Sequence, residues 1–152
     1  MALGKKKVLF ICTGNSCRSQ MAEGLVNHDF GREIEAKSAG IMPGSVNPNS
    51  IKVMSEIGID IRGQRSKHID EFKSDKFDLV ITLCDYAAAN CPVWQNVGEQ
   101  IHMPFEDPIV IQGSQEQILK EYRRVRDEMR KEIGLVLTDK LKGWVLDSGG
   151  HC

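Results

Sequence analysis

Two apolar periodicities alternate along the chain. Val8 to Ile11 is an unbroken apolar run of strand length, the pattern of a strand buried on both faces. Met21 to Phe30 then reads as a helix starting near Cys17, and Glu33 to Ser38 as a second strand, with Ile34 and Ala36 alternating with polar neighbours. Asn47-Pro48 is a helix start, with Asn at the N-cap and Pro in the first turn. Ile51, Met54 and Ile57 follow at helical spacing, and Gly58 suits the C-cap. Phe77 to Leu83 carries the buried-strand run Leu79-Val80-Ile81-Thr82-Leu83, and Gln100 to Met103 is a short fourth strand. Ser114-Gln115-Glu116-Gln117 is a capping box that opens a long helix. Ile118, Tyr122, Val125, Met129, Ile133, Leu137 and Leu141 recur along it every three or four residues, a stripe that would cover a sheet. The alternation predicts an α/β fold, a four-stranded parallel sheet flanked by helices on both faces. Ligands in such folds sit at the carboxyl ends of strands, near helix N-termini.

The 152 residues fit one catalytic domain, 1–152, with 143–152 expected as a flexible tail. Lys plus Arg number 20 against 21 for Asp plus Glu, so there is no basic excess for nucleic acid. No apolar run approaches a membrane span. Lys5-Lys6-Lys7 before Val8 mimics the start of a signal peptide, but polar Thr13-Gly14-Asn15-Ser16 follows too soon. A cytoplasmic protein is expected. Five cysteines, Cys12, Cys17, Cys84, Cys91 and Cys152, are an odd count that argues against a disulfide framework. They are core residues, metal ligands or catalytic thiols.

The stretch Cys12-Thr13-Gly14-Asn15-Ser16-Cys17-Arg18-Ser19 lies where the first strand ends and the first helix begins. A loop of this length can turn its backbone N–H groups inward as an anion nest. Gly14 allows a positive φ, and Asn15 tolerates one better than most residues. The helix N-terminus adds partial positive charge. Arg18 can present a planar fork to a tetrahedral oxyanion. The same field favours the thiolate of Cys12, to which Ser19 could donate a hydrogen bond. Thr13, Gly14, Asn15, Ser16, Cys17, Arg18 and Ser19 are therefore read as oxyanion-binding, with the Cys17 side chain taken as packing. A bare Cys-x5-Arg spacing is common by chance; its position at a strand-to-helix junction favours chemistry over a core cysteine and a surface arginine. Phe105-Glu106-Asp107-Pro108 supplies a proton donor. Pro108 keeps Asp107 extended, which could aim its carboxyl at the loop, and Glu106 is the local competitor.

At these residues the sequence resembles the low-molecular-weight protein tyrosine phosphatase superfamily. Cys84 at the end of the third strand and Cys91-Pro92 after it narrow the likeness to the thioredoxin-coupled arsenate reductases. Cys12 to Gly24, Ser38-Ala39-Gly40-Ile41, Asn47-Pro48, Gly58-Ile59-Asp60-Ile61 and Arg124 to Glu128 also read like that family, so the likeness covers roughly residues 6 to 135. The resemblance implies reduction of arsenate to arsenite with Cys12, Arg18, Asp107, Cys84 and Cys91 as catalytic residues. Cys12 would attack arsenate, Asp107 would protonate the departing oxygen, and Cys84 would then attack Cys12 and release arsenite. Cys91 would next form a disulfide with Cys84, which thioredoxin reduces. It also implies a monomer with no tightly bound cofactor. For Cys91 to reach Cys84, the segment Asp85 to Asn90 must be mobile; Ala87-Ala88-Ala89 suits a helix that melts and re-forms.

The chain departs from the family at two places. Asp85 follows Cys84 where Gly is frequent, and a carboxylate there disfavours the Cys84 thiolate. Some members hold potassium through positions matching Asn15, Glu23 and Ser38, plus an Asp at the position of Lys67. Here the Lys67 ammonium is expected beside Glu23 and no metal is expected. Two rivals remain. A phosphotyrosine phosphatase would need Cys12, Arg18 and Asp107 but neither Cys84 nor Cys91. Asp85-Tyr86 and Phe105-Glu106 offer little aromatic wall for a phenyl ring. A zinc protein using Cys12, Cys17, Cys84 or Cys91 with His102 has no Cys-x2-Cys pair to support it.

Overall fold

The computed structural model describes the backbone of residues 4–91 and 97–149, with side chains to Trp144. Four strands, β1 (Lys6–Cys12), β2 (Ile34–Gly40), β3 (Leu79–Thr82) and β4 (Gln100–His102), form one sheet in the order β2-β1-β3-β4. All three pairings are parallel, as expected. Four α-helices join them: α1 (Arg18–Asp29), α2 (Pro48–Ser55), α3 (Asp85–Asn90) and α4 (Gln115–Gly149). The connections β1-α1-β2 and β3-α3-β4 step in opposite directions along the sheet. Since such crossovers are right-handed, α1 and α3 lie on opposite faces. β1 is central, and Val8 to Ile11 have no exposed surface, which is why that stretch is apolar on both sides.

The registers set the site. Cys12 pairs with Gly40, Ile11 with Thr82, and Thr82 with His102, so all four strands end at one edge. Pairing continues beyond β3: Leu83 N–H donates to Ile11 O at 2.8 Å, and Phe105 N–H to Leu83 O at 3.1 Å. The loops carrying Cys12, Cys84 and Asp107 therefore start from adjacent strand ends.

The helix ends follow their caps. Asn47 accepts from Asn49 N–H at 2.8 Å with Pro48 in the first turn. Ser114 and Gln117 exchange reciprocal bonds at the start of α4. Helix α2 stops at Ser55, and Gly58 takes its left-handed φ of 79° in the turn after the C-cap Glu56 rather than next to the helix. Two short 3-10 turns, Ile69–Phe72 and Pro108–Val110, carry no periodic signal and were not expected. Helix α4 packs against α1 and α2. Tyr122, Val125, Met129, Ile133 and Leu137 are buried in the expected stripe, and Leu119 rather than Ile118 leads it. Between the apolar positions, buried Arg126 donates to Val53 O at 2.7 Å and to Glu56 at 3.2 Å, which ties α4 to α2. The helix continues through Gly143 to Gly149, the segment expected as a tail.

Met129 is fully buried in this stripe. Met129→Ala is expected to lower the free energy of unfolding by about 2–5 kcal/mol in urea titration, the cost of a cavity with incomplete relaxation.

Candidate active site

Strand β1 ends in Cys12, which is 2% exposed, and the chain turns through residues 13–17 into α1. The carbonyls of this turn face away from its mouth. Cys12 O, Thr13 O, Gly14 O and Ser16 O accept from the N–H groups of Ile41, Met42, Gly44 and Asn47. Asn15 O accepts from Gln20 Nε2 at 3.0 Å and Ser66 Oγ at 2.6 Å. With the carbonyls bonded outward, the N–H groups of residues 13–18 have no protein acceptor among the described residues. This is the donor array an oxyanion needs.

The turn requires one left-handed residue, and that residue is Asn15, at φ 49°. Gly14, expected to share this role, does not take a positive φ. Asn15 is clamped on every side: Oδ1 accepts from Lys67 N–H at 2.8 Å, while Nδ2 donates to Ser19 Oγ at 2.7 Å and Ser38 Oγ at 2.9 Å. The proton inventory fixes the direction of the network. Ser38 accepts from Asn15 and gives its own proton to Glu23 Oε1 at 2.6 Å. Ser19 accepts from Asn15, so its hydroxyl proton is left for Cys12 Sγ at 2.9 Å. Beyond Glu23, Lys67 Nζ lies 3.7 Å from Oε1 and donates to Arg65 O at 2.7 Å. Burial pushes the Lys67 ammonium below the usual lysine range, and the Glu23 carboxylate opposes that shift.

Gly40 shows the tightness of this packing. A Cβ there would meet Thr13 O at 2.7 Å and Asn15 N at 2.9 Å. Gly40 entered the sequence reading only as part of a family likeness, and Gln20 and Ser66 did not enter as site residues. Nothing local marks them, because their contacts cross up to 51 residues of chain.

Arg18 begins α1 and is 8% exposed. Its Nη1 donates to Phe105 O at 3.1 Å and its Nη2 to Asp107 Oδ2 at 3.3 Å. Asp107 caps the Pro108–Val110 turn, its Oδ1 accepting from Ile109 N–H at 3.1 Å. Cys12, Thr13, Gly14, Ser16, Cys17, Arg18, Asp107 and Ile109 line a cavity of about 260 Å³, a size for a small anion. Glu106 points elsewhere and pairs with Arg124 at 2.9 Å, which separates the two candidate acids. Cys17 is the N-cap of α1 and 4% exposed, with Sγ 3.5 Å from Tyr122 Oη. Burial pushes its thiol up, outweighing hydrogen bonds that act the other way. Burial likewise raises the Tyr122 phenol.

Cys84 caps α3 through its sulfur, which accepts from Ala87 N–H at 3.4 Å and lies 3.3 Å from Thr13 Oγ1. The structure thus brings a second buried thiol to the rim of the Cys12 loop. Cys91 is half-buried at the other end of α3. Pro92, His151 and Cys152 lie outside the described residues. Among the described residues no group of three or more His, Cys, Asp or Glu side chains could hold a metal. The zinc arrangement around His102 is not assembled; His102 pairs with Asp85 instead.

A buried cysteine under an anion nest, an arginine across the mouth and an aspartate at the rim, all at the edge of a parallel sheet, form an arrangement suited to a tetrahedral oxyanion. Residues 7–143 match the low-molecular-weight phosphotyrosine protein phosphatase family, and the chain belongs to it. Among its relatives, an arsenate reductase of Halalkalibacterium halodurans is 49% identical over 131 residues, 86% of this chain and 94% of the relative. An arsenate reductase of Bacillus subtilis is 46% identical over 84% of this chain and 92% of its own. The solved structure of an arsenate reductase in the phosphate-binding state superposes with a TM-score of 0.76 at 36% identity, over 88% of this chain and 98% of the other.

Gly40→Ala is expected to weaken phosphate binding about tenfold or more, the loss of at least one charge-assisted hydrogen bond as the loop backbone shifts. Isothermal titration with inorganic phosphate measures it, and unchanged affinity would show that the loop accommodates the methyl group.

Proposed function

We propose that this chain is a single-domain cytoplasmic arsenate reductase that works by a three-cysteine relay and is regenerated by thioredoxin. The observation that carries the reading is Cys84, buried, on the α3 N-cap and 3.3 Å from Thr13 of the oxyanion loop. Hydrolysis of a phosphotyrosine, the alternative, uses Cys12, Arg18 and Asp107 and gives a thiol at that place no task.

Arsenate enters the cavity and takes the N–H groups of residues 13–18 and the Arg18 guanidinium. The Cys12 thiolate attacks arsenic while Asp107 passes a proton to the departing oxygen, which leaves as water. The Cys84 thiolate then attacks Cys12 Sγ. A sulfur–sulfur bond forms, the sulfur–arsenic bond breaks, and its electron pair stays on arsenic, which leaves as arsenite. Cys91 attacks Cys84, freeing the Cys12 thiolate and making a Cys84–Cys91 disulfide that the thioredoxin dithiol reduces. Two thiols have lost two electrons and arsenic has gained them.

Arg18 serves both partners. In this structure it pairs with Asp107. An oxyanion in the nest competes for the guanidinium, and Asp107 in the cavity wall is the proton donor. Cys17, buried against Tyr122, is kept out of the exchange. Asn15, Glu23 and Ser38 form the buried polar support, and Lys67, instead of an alkali ion, balances Glu23. The enzyme acts as a monomer with no tightly bound cofactor.

Asp107→Asn is expected to slow arsenate reduction by on the order of 100-fold, as loss of a positioned proton donor does, with phosphate binding retained. A near-normal rate alongside an inactive Glu106→Gln would move the acid to Glu106. Cys91→Ser is expected to release one arsenite per protein and stop with Cys12 and Cys84 joined, while Cys84→Ser releases none. Arsenite counts and disulfide mapping by mass spectrometry check both, and sustained turnover of either variant with thioredoxin rejects the relay. Turnover is expected to be equal in potassium and sodium chloride at one ionic strength; a clear potassium activation would show that Lys67 does not fill that role.

A further inference from the structure

In the relay proposed above Cys84 acts twice, first as nucleophile and then as the sulfur under attack. Helix α3 holds it about 10 Å from Cys91 along seven residues at helical rise, and a disulfide needs Cα atoms within about 7 Å. One end of α3 has to travel. The Cys84 end is seated on the sheet. Next to the Cys84 end, Leu83 is bonded to β1 and to Phe105, and within the first turn Ala87 is fully buried. Farther on, Ala89 and Asn90 are exposed, and the Asn90 amide bonds back to Tyr86 O inside the helix.

An additional contact fastens the Cys84 end and has no part in the oxyanion site. His102, the last residue of β4, places Nε2 2.9 Å from Oδ1 of Asp85, the first residue of α3. Its Nδ1 lies 2.8 Å from Oγ1 of Thr82, the last residue of β3. The ring bridges two strand ends to the residue beside Cys84. The bridge holds in either protonation state. The neutral ring with its proton on Nε2 donates to Asp85 and accepts from the Thr82 hydroxyl, which then gives up its 3.4 Å bond to Ile101 O; the protonated ring donates to both. The Asp85 carboxylate, which otherwise stands next to a thiolate of the same sign, is given a partner on the strand side.

We propose that His102 is a positioning residue for the thiol exchange: its clasp on Asp85 keeps the Cys84 end of α3 seated on the sheet, so that the helix unwinds from its Cys91 end and Cys91 is the sulfur that moves. The proposal rests on the three-cysteine reading. It applies to both exchanges, because Cys84 has to face Cys12 in the first and stay accessible in the second.

The test uses the full chain in a Cys91→Ser background, where arsenite release reports the Cys84 attack alone. His102→Ala is expected to slow the single-turnover burst about two- to fivefold, the range for losing an exposed ion-paired contact. His102→Gln, whose amide can donate to Asp85, is expected to recover most of the rate. Alkylation of Cys12 by iodoacetamide should be unchanged in both. Hydrogen exchange should quicken at residues 85–88 in His102→Ala and stay as in the parent in His102→Gln. A His102→Ala burst as fast as the parent overturns the clasp. So does an equal slowing of Cys12 alkylation, which would mean general loosening. If His102→Ala fails to fold, a His102→Gln protein that bursts normally but exchanges residues 85–88 as fast as 89–91 also overturns it. Arsenite released by Cys84→Ser at the parent rate would instead reject the relay itself and leave the clasp without a reaction to serve.

Discussion

The site depends on Asn15 being held in a left-handed conformation. Six residues separate the end of β1 from the second residue of α1, and within them the chain has to reverse its carbonyls outward and its N–H groups inward. A non-glycine residue at φ 49° carries a conformational cost, and the surroundings meet it with bonds to both ends of the Asn15 side chain and two to its carbonyl. The partners come from α1, β2 and the segment 64–67. Those elements are brought together only because β1 is the middle strand, with β2 on one side and β3 on the other. The anion nest is thus a consequence of sheet order as much as of the loop.

Two ion pairs stand on either side of the nest, one buried and one half-exposed. Lys67 and Glu23 sit behind it with side chains about as buried as each other, and their charges serve the Ser38–Asn15–Ser19 chain that ends on Cys12. Taking two charges out of water is costly unless their other valences are filled, and here Arg65 O and Ser38 fill them. Arg18 and Asp107 sit in front, and Asp107 is more open to solvent. The rear pair is enclosed, and the front pair is open to solvent on its Asp107 side.

Helix α3 is the least embedded of the four helices and the one with thiols at both ends. Its N-cap is a cysteine sulfur rather than an oxygen, a weaker acceptor that leaves the helix when the sulfur reacts. A six-residue helix has little intrinsic stability and persists through the contacts of its first turn. Short length and exposed residues in its last turn are compatible with an element that opens within a rigid sheet without disturbing it.

The sequence by itself determined the strands, the long helix and the candidate reacting groups. A run such as Val8 to Ile11 can be apolar throughout only if both faces are covered, the capping box at Ser114 needs only its own neighbours, and Cys12, Arg18 and Asp107 are legible because their chemistry rests on residue type and spacing. Tertiary structure decided what depends on contacts between distant residues. It chose Asn15 over Gly14 as the left-handed position, left little room for a Cβ at Gly40 against the loop backbone, and turned Asp107 toward the cavity while Glu106 went to Arg124. It moved His102 from a candidate zinc ligand to a partner of Asp85. These outcomes follow from strand order and register, which bring residues 15, 40, 66 and 107 together although no local pattern in the chain links them.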